Sequence, residues 1–262
     1  MSWLDPTHLY PAMTAALVSG GLGALAPALV ARLPEPAPAE AADAPAEQAV
    51  VEADGDEQRL FAPTLPPPPP KEPYAEIAAP RSFAVTIVTW SVLVGGGFGL
   101  VHGWTGALLY LVPLVPVGVV LLVIDWRTTL LPTRILHPTY AGLAVLLPAA
   151  TLVDRDLDSL YRAGWGWLVI GGWFWVFWWL FNAWGFGDVR LSRVLGPALG
   201  YLGWYEMLTG LALMVFVGGI GGAVLSLVHR SVRRRFPYGP FMLVGATLAV
   251  LCGPWIARGL GY

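Results

Sequence analysis

The chain has 262 residues, of which 56% are hydrophobic and only 12% are charged, and its formal net charge is -2. In soluble globular proteins about a quarter of the residues are charged, so this composition excludes an ordinary soluble domain and indicates an integral membrane protein. The single cysteine, Cys252, excludes an intramolecular disulfide and a zinc site built from CxxC pairs, because both need more than one thiol.

Eight stretches of the chain are apolar enough to be predicted as helices of the membrane domain. A helix needs about 20 mostly apolar residues to cross a bilayer core of roughly 30 Å. The predicted helices cover 11–30, 83–102, 105–124, 138–153, 165–184, 191–204, 207–228 and 241–256. The fourth is short, and the sixth is short and interrupted by glycines, with a re-entrant path as the alternative. The sequence therefore predicts an all-α, polytopic transmembrane bundle of about eight helices.

The composition divides the chain into three regions. Residues 1–32 are predicted to be an N-terminal transmembrane helix; a cleaved signal peptide is the alternative, since Ala24-Leu25-Ala26 has the form of a cleavage site but no basic region precedes it. Residues 33–81 are rich in proline, alanine and glutamate, a composition that cannot bury a core, so they are predicted to be a disordered cytoplasmic linker. A docking segment for a partner is the alternative there. Residues 82–262 form the predicted membrane core.

Basic residues are distributed unevenly between the two predicted faces of the membrane. With eight crossings, twelve of the fifteen Lys and Arg residues fall on one face, and only Arg155, Arg162 and Arg258 fall on the other. Cytoplasmic loops carry the excess of basic residues. We therefore expect a multi-pass plasma-membrane protein with both termini outside and the more basic face in the cytoplasm.

Two aspartates are candidate functional residues, because an ionisable residue at membrane depth costs about 2.5 to 3.5 kcal/mol and is usually functional. Asp125 follows the third predicted helix and Asp188 follows the fifth, and both helices run towards the cytoplasmic face. The two side chains are therefore predicted to meet. Neighbouring carboxyl groups cannot both ionise cheaply, so they share a proton and can act on water as general acid and base. Two helix-end aspartates solvated among lipid headgroups are the alternative.

Three motifs surround these aspartates. Asp125 is followed seven residues later by Pro132, Asp188 stands in a Gly-x-Gly-Asp sequence, and a Pro-Tyr-Gly-Pro sequence precedes the last helix. The residues of these motifs, apart from the aspartates, are Pro132, Gly185, Gly187, Arg190, Leu191, Pro237, Gly239 and Pro240. In this order, and with Arg32-Leu33-Pro34 after the first helix, the chain resembles the bacterial type IV prepilin peptidases, which are intramembrane aspartic proteases of the GxGD type.

The resemblance implies that Asp125 and Asp188 are the catalytic residues of an enzyme that removes the short basic leader of prepilins or pseudopilins. Cleavage would occur at the cytoplasmic face of the bacterial plasma membrane, just before the hydrophobic helix of the substrate. The expected partners are this substrate and membrane lipid, with no nucleic acid, metal or other cofactor, whereas the oligomeric state stays open.

A proton-coupled or cation-coupled transporter that uses the same two aspartates is the alternative from another functional class. Transport sites generally lie near the middle of the membrane, often between broken helices and repeats. Both aspartates are instead predicted at helix ends on one face, which favours the peptidase.

The sequence departs from the family pattern in three places. Many members carry two CxxC pairs after the first helix, associated with zinc and with N-methylation of the cleaved pilin; this chain has the proline-rich linker there, so methyltransferase activity is not expected. Arg190 occupies the position of a usual lysine, and Thr133 that of a carboxamide or carboxylate in many relatives.

Two further features are His137, whose simplest interpretation is a solvated interfacial residue, and the glycines of 218–222, which are predicted to permit close helix packing.

Overall fold

The computed structural model describes residues 6–34, 72–181, 185–229 and 236–259. These residues form nine α-helices and contain no β-strand. The helices are α1 (Pro6–Val30), α2 (Tyr74–Ala78), α3 (Arg81–His102), α4 (Leu108–Thr128), α5 (Thr133–Asp154), α6 (Leu157–Phe181), α7 (Phe186–Leu202), α8 (Trp204–His229) and α9 (Gly239–Gly259). All except α2 and α7 contain a segment long and apolar enough to cross a membrane. The predicted all-α, polytopic bundle is confirmed.

Most of the predicted linker, 35–71, lies outside the described residues. The last part of that predicted linker is different from the expectation, because Tyr74–Ala78 form the short helix α2 with Tyr74, Ile77 and Ala78 buried. Aromatic and aliphatic residues were sparse in the linker as a whole, but here they are spaced so that one face of a helical turn packs against α1.

Two predicted helix boundaries were wrong near Asp125. The fourth helix is not short, because it begins after Pro132 and contains Pro138 instead of starting there. Proline is disfavoured inside a helix, so the sequence rule chose Pro138 as the start, whereas packing keeps the helix intact. The third helix continues to Thr128 and ends where Thr129 adopts a left-handed conformation (φ 53°). Asp125 therefore lies inside the last turn of α4 and not after its end.

The sixth predicted helix, α7, begins five residues earlier than expected and has 17 residues, a length of about 25 Å. Its first turn lies beside Leu131, in the loop between α4 and α5. Near its other end, the Tyr201 hydroxyl donates to Asp154 Oδ2 at 3.0 Å, at the end of α5. Helix α7 thus extends as one continuous helix between opposite ends of the bundle. It has no segment long and apolar enough to count as a membrane span, so seven of the described helices qualify where eight were predicted.

Two apolar clusters hold the bundle together. The larger cluster contains residues of all six helices from α4 through α9, and Tyr110, Phe174 and Met242 are fully buried in it. The smaller joins α1, α2 and α3 to α4, and Ile124 is fully buried in it. Because Ile124 immediately precedes Asp125, this cluster fixes the last turn of α4 where the carboxylate emerges.

Helices α6 and α7 pack backbone against backbone. A Cβ atom added at Gly166 of α6 would meet the carbonyl group of Gly196 in α7 and would lie 3.1 Å from Gly200 Cα. A Cβ atom at Gly196 would in turn meet the carbonyl group of Gly166. This small-residue contact is the type that brings membrane helices together, and it places the helix that carries Asp188 firmly against its neighbour.

We expect Gly166→Ala to lower the free energy of unfolding by roughly 1 to 3 kcal/mol, the usual cost of overpacking. The backbone of α7 must move to admit the methyl group. Gly164→Ala is the matched control on the same helix, because a Cβ there meets nothing within 4 Å and alanine favours a helix over glycine by up to about 1 kcal/mol. Unfolding in detergent micelles measures both. Equal effects of the two substitutions would contradict the close contact.

The glycines of 218–222 also allow close packing, as predicted, but their partners are aromatic rings and not a helix backbone. The space beside Gly218 is filled by the ring of Tyr238, and that beside Gly221 by the ring of Phe241. The Tyr238 hydroxyl donates to the Met214 carbonyl oxygen at 3.1 Å. These contacts between α8 and the start of α9 fix the Pro-Tyr-Gly-Pro segment.

Candidate active site

Asp125 is held by the first residue of α9. Its side chain is 3% exposed, and its Oδ2 accepts a hydrogen bond from the Gly239 amide at 3.0 Å. A Cβ atom at position 239 would lie 2.7 Å from the same oxygen, so only glycine leaves room for the carboxylate. Pro240 follows in the first helical turn, where the missing amide hydrogen has no intrahelical role.

Asp188 lies in the first turn of α7, and not in a loop after the preceding helix as the sequence suggested. It is 7% exposed. Its Oδ2 accepts a hydrogen bond from the Gly185 amide at 3.1 Å, and its own amide donates to the Gly185 carbonyl oxygen at 3.0 Å. A carboxylate in this position also interacts favourably with the positive end of the helix dipole. The Gly-x-Gly-Asp motif is therefore a helix start that fixes its own aspartate.

The structure brings the two aspartates together at one end of the bundle. The Leu131 side chain lies close to the backbone beside each aspartate, because added Cβ atoms at Gly187 and Gly239 would lie 3.2 and 3.5 Å from its carbon atoms. The carboxyl group of Asp125 is close enough to act electrostatically on Asp188. Burial raises the pKa of Tyr238, and the charge of Asp188 raises it further. Asp125, Asp188 and Tyr238 therefore belong to one buried site, which we call the dyad site.

The sequence did not single out Leu131 or predict a role for the Tyr238 ring. Leu131 is an ordinary leucine beside a proline, so only the three-dimensional path of the loop reveals that it lies close to both motif glycines. Tyr238 stood inside a recognised motif, and this was the available signal. His137 is exposed, with its ring 6.3 Å from the ring of Tyr140, and no described contact joins it to the dyad site.

The remaining motif residues support this site from outside. Pro132 is buried and precedes the first turn of α5, and Leu191 is 1% exposed in the main core. Arg190 Nη1 donates to Thr133 Oγ1 at 2.9 Å, and its guanidinium lies 4.7 Å from the centre of the Phe186 ring. Two of the three departures from the family pattern, Arg190 and Thr133, thus contact each other and join the starts of α5 and α7. Pro237, in the segment before α9, is partly buried.

We expect Thr133→Val to destabilise the protein by about 1.5 to 3 kcal/mol, the usual contribution of a hydrogen bond to a charged group. Valine keeps the shape of threonine but removes the acceptor of the Arg190 hydrogen bond. Thr139→Val is the matched control, because the Thr139 hydroxyl donates only within its own helix, to the Ile135 carbonyl at 2.7 Å. Thermal unfolding of the two variants in the same detergent provides the measurement. A larger loss from Thr139→Val would show that the contact between α5 and α7 is not important.

In this arrangement, each carboxylate has one oxygen that accepts a hydrogen bond and one that is available to a water molecule or a substrate. One oxygen of each aspartate is held by a glycine amide, and in the described part of the chain no protein group donates to the other oxygen. A water molecule bound between the two carboxyl groups would meet one proton acceptor and one proton donor. Over the described ranges, no three His, Cys, Asp or Glu side chains are grouped as metal ligands would be.

A helical membrane bundle in which two helices carry buried, neighbouring aspartates defines a polytopic membrane protein with a paired-carboxylate site. Residues 112–227, which include both aspartates, match the type IV leader peptidase family. This segment of the chain is therefore similar in sequence to members of that family.

Three curated relatives are similar to this chain. The chain is 31% identical over 179 residues to a prepilin leader peptidase/N-methyltransferase of Aeromonas hydrophila, which covers 66% of this chain and 59% of the relative. It is 31% identical over 139 residues to the Escherichia coli (strain K12) protein of the same name, covering 52% and 59% of the two chains. A relative from Aeromonas salmonicida (strain A449) is 30% identical over 177 residues, covering 66% and 59%. The matched region thus spans about three fifths of these relatives. No solved structure matches the chain significantly.

Proposed function

We propose that this protein is a leader peptidase that cleaves type IV prepilins or pseudopilins, with Asp125 and Asp188 as its catalytic pair. The observation that supports this most strongly is the meeting of two buried carboxylates, each held by the amide of a motif glycine. The position of the pair favours a peptidase over a transporter. Asp125 lies in the last turn of α4, whereas a transport site is expected near the middle of the membrane.

In the proposed reaction, the ionised aspartate accepts a proton from the bound water as the water oxygen attacks the carbonyl carbon of the scissile peptide bond. The protonated aspartate donates to the carbonyl oxygen and stabilises the charge that develops on it. When the tetrahedral intermediate breaks down, the carbon–nitrogen bond is cleaved and the departing amine takes the proton held by the first aspartate. The oxygen that received the proton of the second aspartate returns it as the new carboxyl group forms, which restores the pair. Neither step needs a nucleophilic side chain.

The charges at the described helix ends support cleavage at the cytoplasmic face. Arg32, Arg127 and Arg134 lie at the same end of the bundle as the dyad site, whereas Arg155 and Arg162 lie at the other end. Cytoplasmic segments carry the excess of basic residues. The cluster Arg233–Arg235, which contributed to the predicted orientation, lies outside the described residues.

Arg193 was assigned to a cytoplasmic loop in the sequence prediction, but it lies within α7. Its guanidinium is 5.7 Å from the centre of the Trp167 ring in α6. Because it is the eighth residue of that helix, it supplies no evidence on orientation, and the arginines at or near the helix ends carry that argument without it.

We do not extend the proposal to N-methylation, although the curated relatives carry that activity in their names. The chain has one cysteine and therefore none of the CxxC pairs that many family members carry after the first helix. The proposed activity is hydrolysis alone.

Co-expression with a tagged prepilin tests the proposal. The wild-type protein should produce a shortened pilin whose new N-terminus begins just before the hydrophobic helix, as determined by N-terminal sequencing. Asp125→Asn and Asp188→Asn should each leave the leader in place. Asp158→Asn, which alters an exposed carboxylate at the opposite end of the bundle, should cleave like the wild type. Leader removal that survives both dyad substitutions would refute the assignment.

A further inference from the structure

An apolar groove that takes no part in the dyad site runs between α1, α4 and α5. It has a volume of about 550 Å³ and is open along its side. Its walls include Leu25 and Leu29 of α1, Val117 of α4 and Leu146 of α5. A groove of this volume with an apolar lining, on the outside of a membrane bundle, has the size and chemistry of a site for a hydrocarbon chain.

The groove and the dyad site lie on different faces of α4. Gly118 faces α9, since a Cβ atom there would lie 3.3 Å from Leu243 of that helix. Asp125 also faces α9, because it accepts a hydrogen bond from the Gly239 amide. The groove-lining positions Val117 and Val120 instead face α1 and α5. Because none of the residues around the dyad lines the groove, a peptide held in it would not present its scissile bond to the aspartates.

One end of the groove is basic. Arg134 lines it, and Leu33, the last lining residue after α1, follows Arg32. Both arginines are exposed, and neither forms an ion pair with any residue that the structure describes. The described lining contains no carboxylate. Guanidinium groups bind phosphate oxygens in pairs, and basic pockets between membrane helices bind anionic lipid headgroups.

We propose that this groove is a binding site for an anionic phospholipid, with one acyl chain between α1 and α5 and the headgroup phosphate on Arg134, supported by Arg32. The apolar walls account for the chain and the arginines for the charge. The site does not depend on the proposed peptidase activity, and its test measures binding alone.

Two pairs of variants separate this site from general effects of charge and packing. Gly142 lines the groove, and a Cβ atom there meets nothing within 4 Å, so Gly142→Leu fills the groove without a clash. Gly164→Leu is its control, because Gly164 also has free space but lies on α6, away from the groove. Arg134→Gln removes the phosphate ligand, and Arg81→Gln removes an exposed charge at the same end of the bundle that does not line the groove.

The experiment is a thermal-unfolding titration of the purified full chain in detergent with dioleoylphosphatidylglycerol and, separately, dioleoylphosphatidylcholine. Phosphatidylglycerol should raise the melting temperature of the wild type at lower concentrations than phosphatidylcholine. Arg134→Gln should weaken the apparent affinity for phosphatidylglycerol roughly fivefold, the factor expected for one headgroup charge. Gly142→Leu should abolish the preference, while Gly164→Leu and Arg81→Gln should keep it.

Three results would overturn the proposal. The first is an equal response of the wild type, Arg134→Gln and Gly142→Leu to phosphatidylglycerol. The second is equal stabilisation by the water-soluble headgroup glycerophosphoglycerol, which would indicate a phosphate site without an acyl chain. The third is a photo-crosslinker at position 142 that captures a tagged prepilin in membranes instead of lipid, which would assign the groove to the substrate helix.

Discussion

The substitution Asp125→Asn is expected to reduce the rate of leader removal by about a thousandfold or more, within the range that a positioned acid or base contributes. Asparagine has nearly the shape of aspartate and can keep its oxygen on the Gly239 amide, so the fold should survive. It can neither take a proton from water nor carry one to the peptide carbonyl. The purified variant should therefore unfold at or above the wild-type temperature and show a defect in kcat.

The double variant distinguishes a pair from two independent groups. If Asp125 and Asp188 act on one water molecule, removing the second costs little once the first is gone, because residues that act as a unit are non-additive. Asp125→Asn with Asp188→Asn should therefore be no slower than the slower single variant within a few fold. A double loss equal to the product of the single losses would mean that the two aspartates work separately.

Gly239→Ala is expected to lower the rate about a hundredfold, although it changes no titratable group. The new methyl group would lie 2.7 Å from Asp125 Oδ2, so the carboxylate must leave its hydrogen bond or α9 must shift. A displacement of about 1 Å in a catalytic constellation can cost this factor. The loss should appear in kcat for a synthetic prepilin, with little change in KM, because Gly239 positions the acid and does not bind the substrate helix.

The control for this substitution is Gly219→Ala, since a Cβ atom at position 219 meets nothing within 4 Å. Both changes add one methyl group to a helical glycine, so a general effect of alanine would appear in both. An unchanged rate in Gly239→Ala would show that the Gly239 amide does not position Asp125 during the reaction.

The sequence was sufficient to predict the helical bundle, because it contains eight apolar stretches separated by charges and prolines. A stretch of this length satisfies its backbone hydrogen bonds in a membrane by forming a helix. The sequence also indicated that Asp125 and Asp188 would meet, since the direction of successive helices places both at one end. What could not be predicted was how each aspartate is held. The hydrogen bond from Gly239 to Asp125 joins residues 114 positions apart, and the local sequence contains no trace of it.

The errors at helix ends have a common physical origin. Helix α5 was predicted to begin at Pro138 and α7 at Leu191, yet both begin earlier, at Thr133 and Phe186. Local rules treat proline and glycine as interruptions. In the structure, tertiary contacts between these helices override the rules: Arg190 of α7 reaches Thr133 of α5, and the motif glycine at 187 lies against Leu131. The earlier start of α7 is what places Asp188 inside a helix.

The most direct test uses purified components. The full chain and a purified prepilin would be incorporated into the same lipid vesicles, where no other protease is present, and the released leader would be quantified by mass spectrometry. The wild type should release a single basic leader and leave an intact pilin helix, whereas the Asp188→Asn variant should release none. Intact prepilin with the folded wild type, or an equal yield of leader from the variant, would contradict the assignment of this chemistry to the two aspartates.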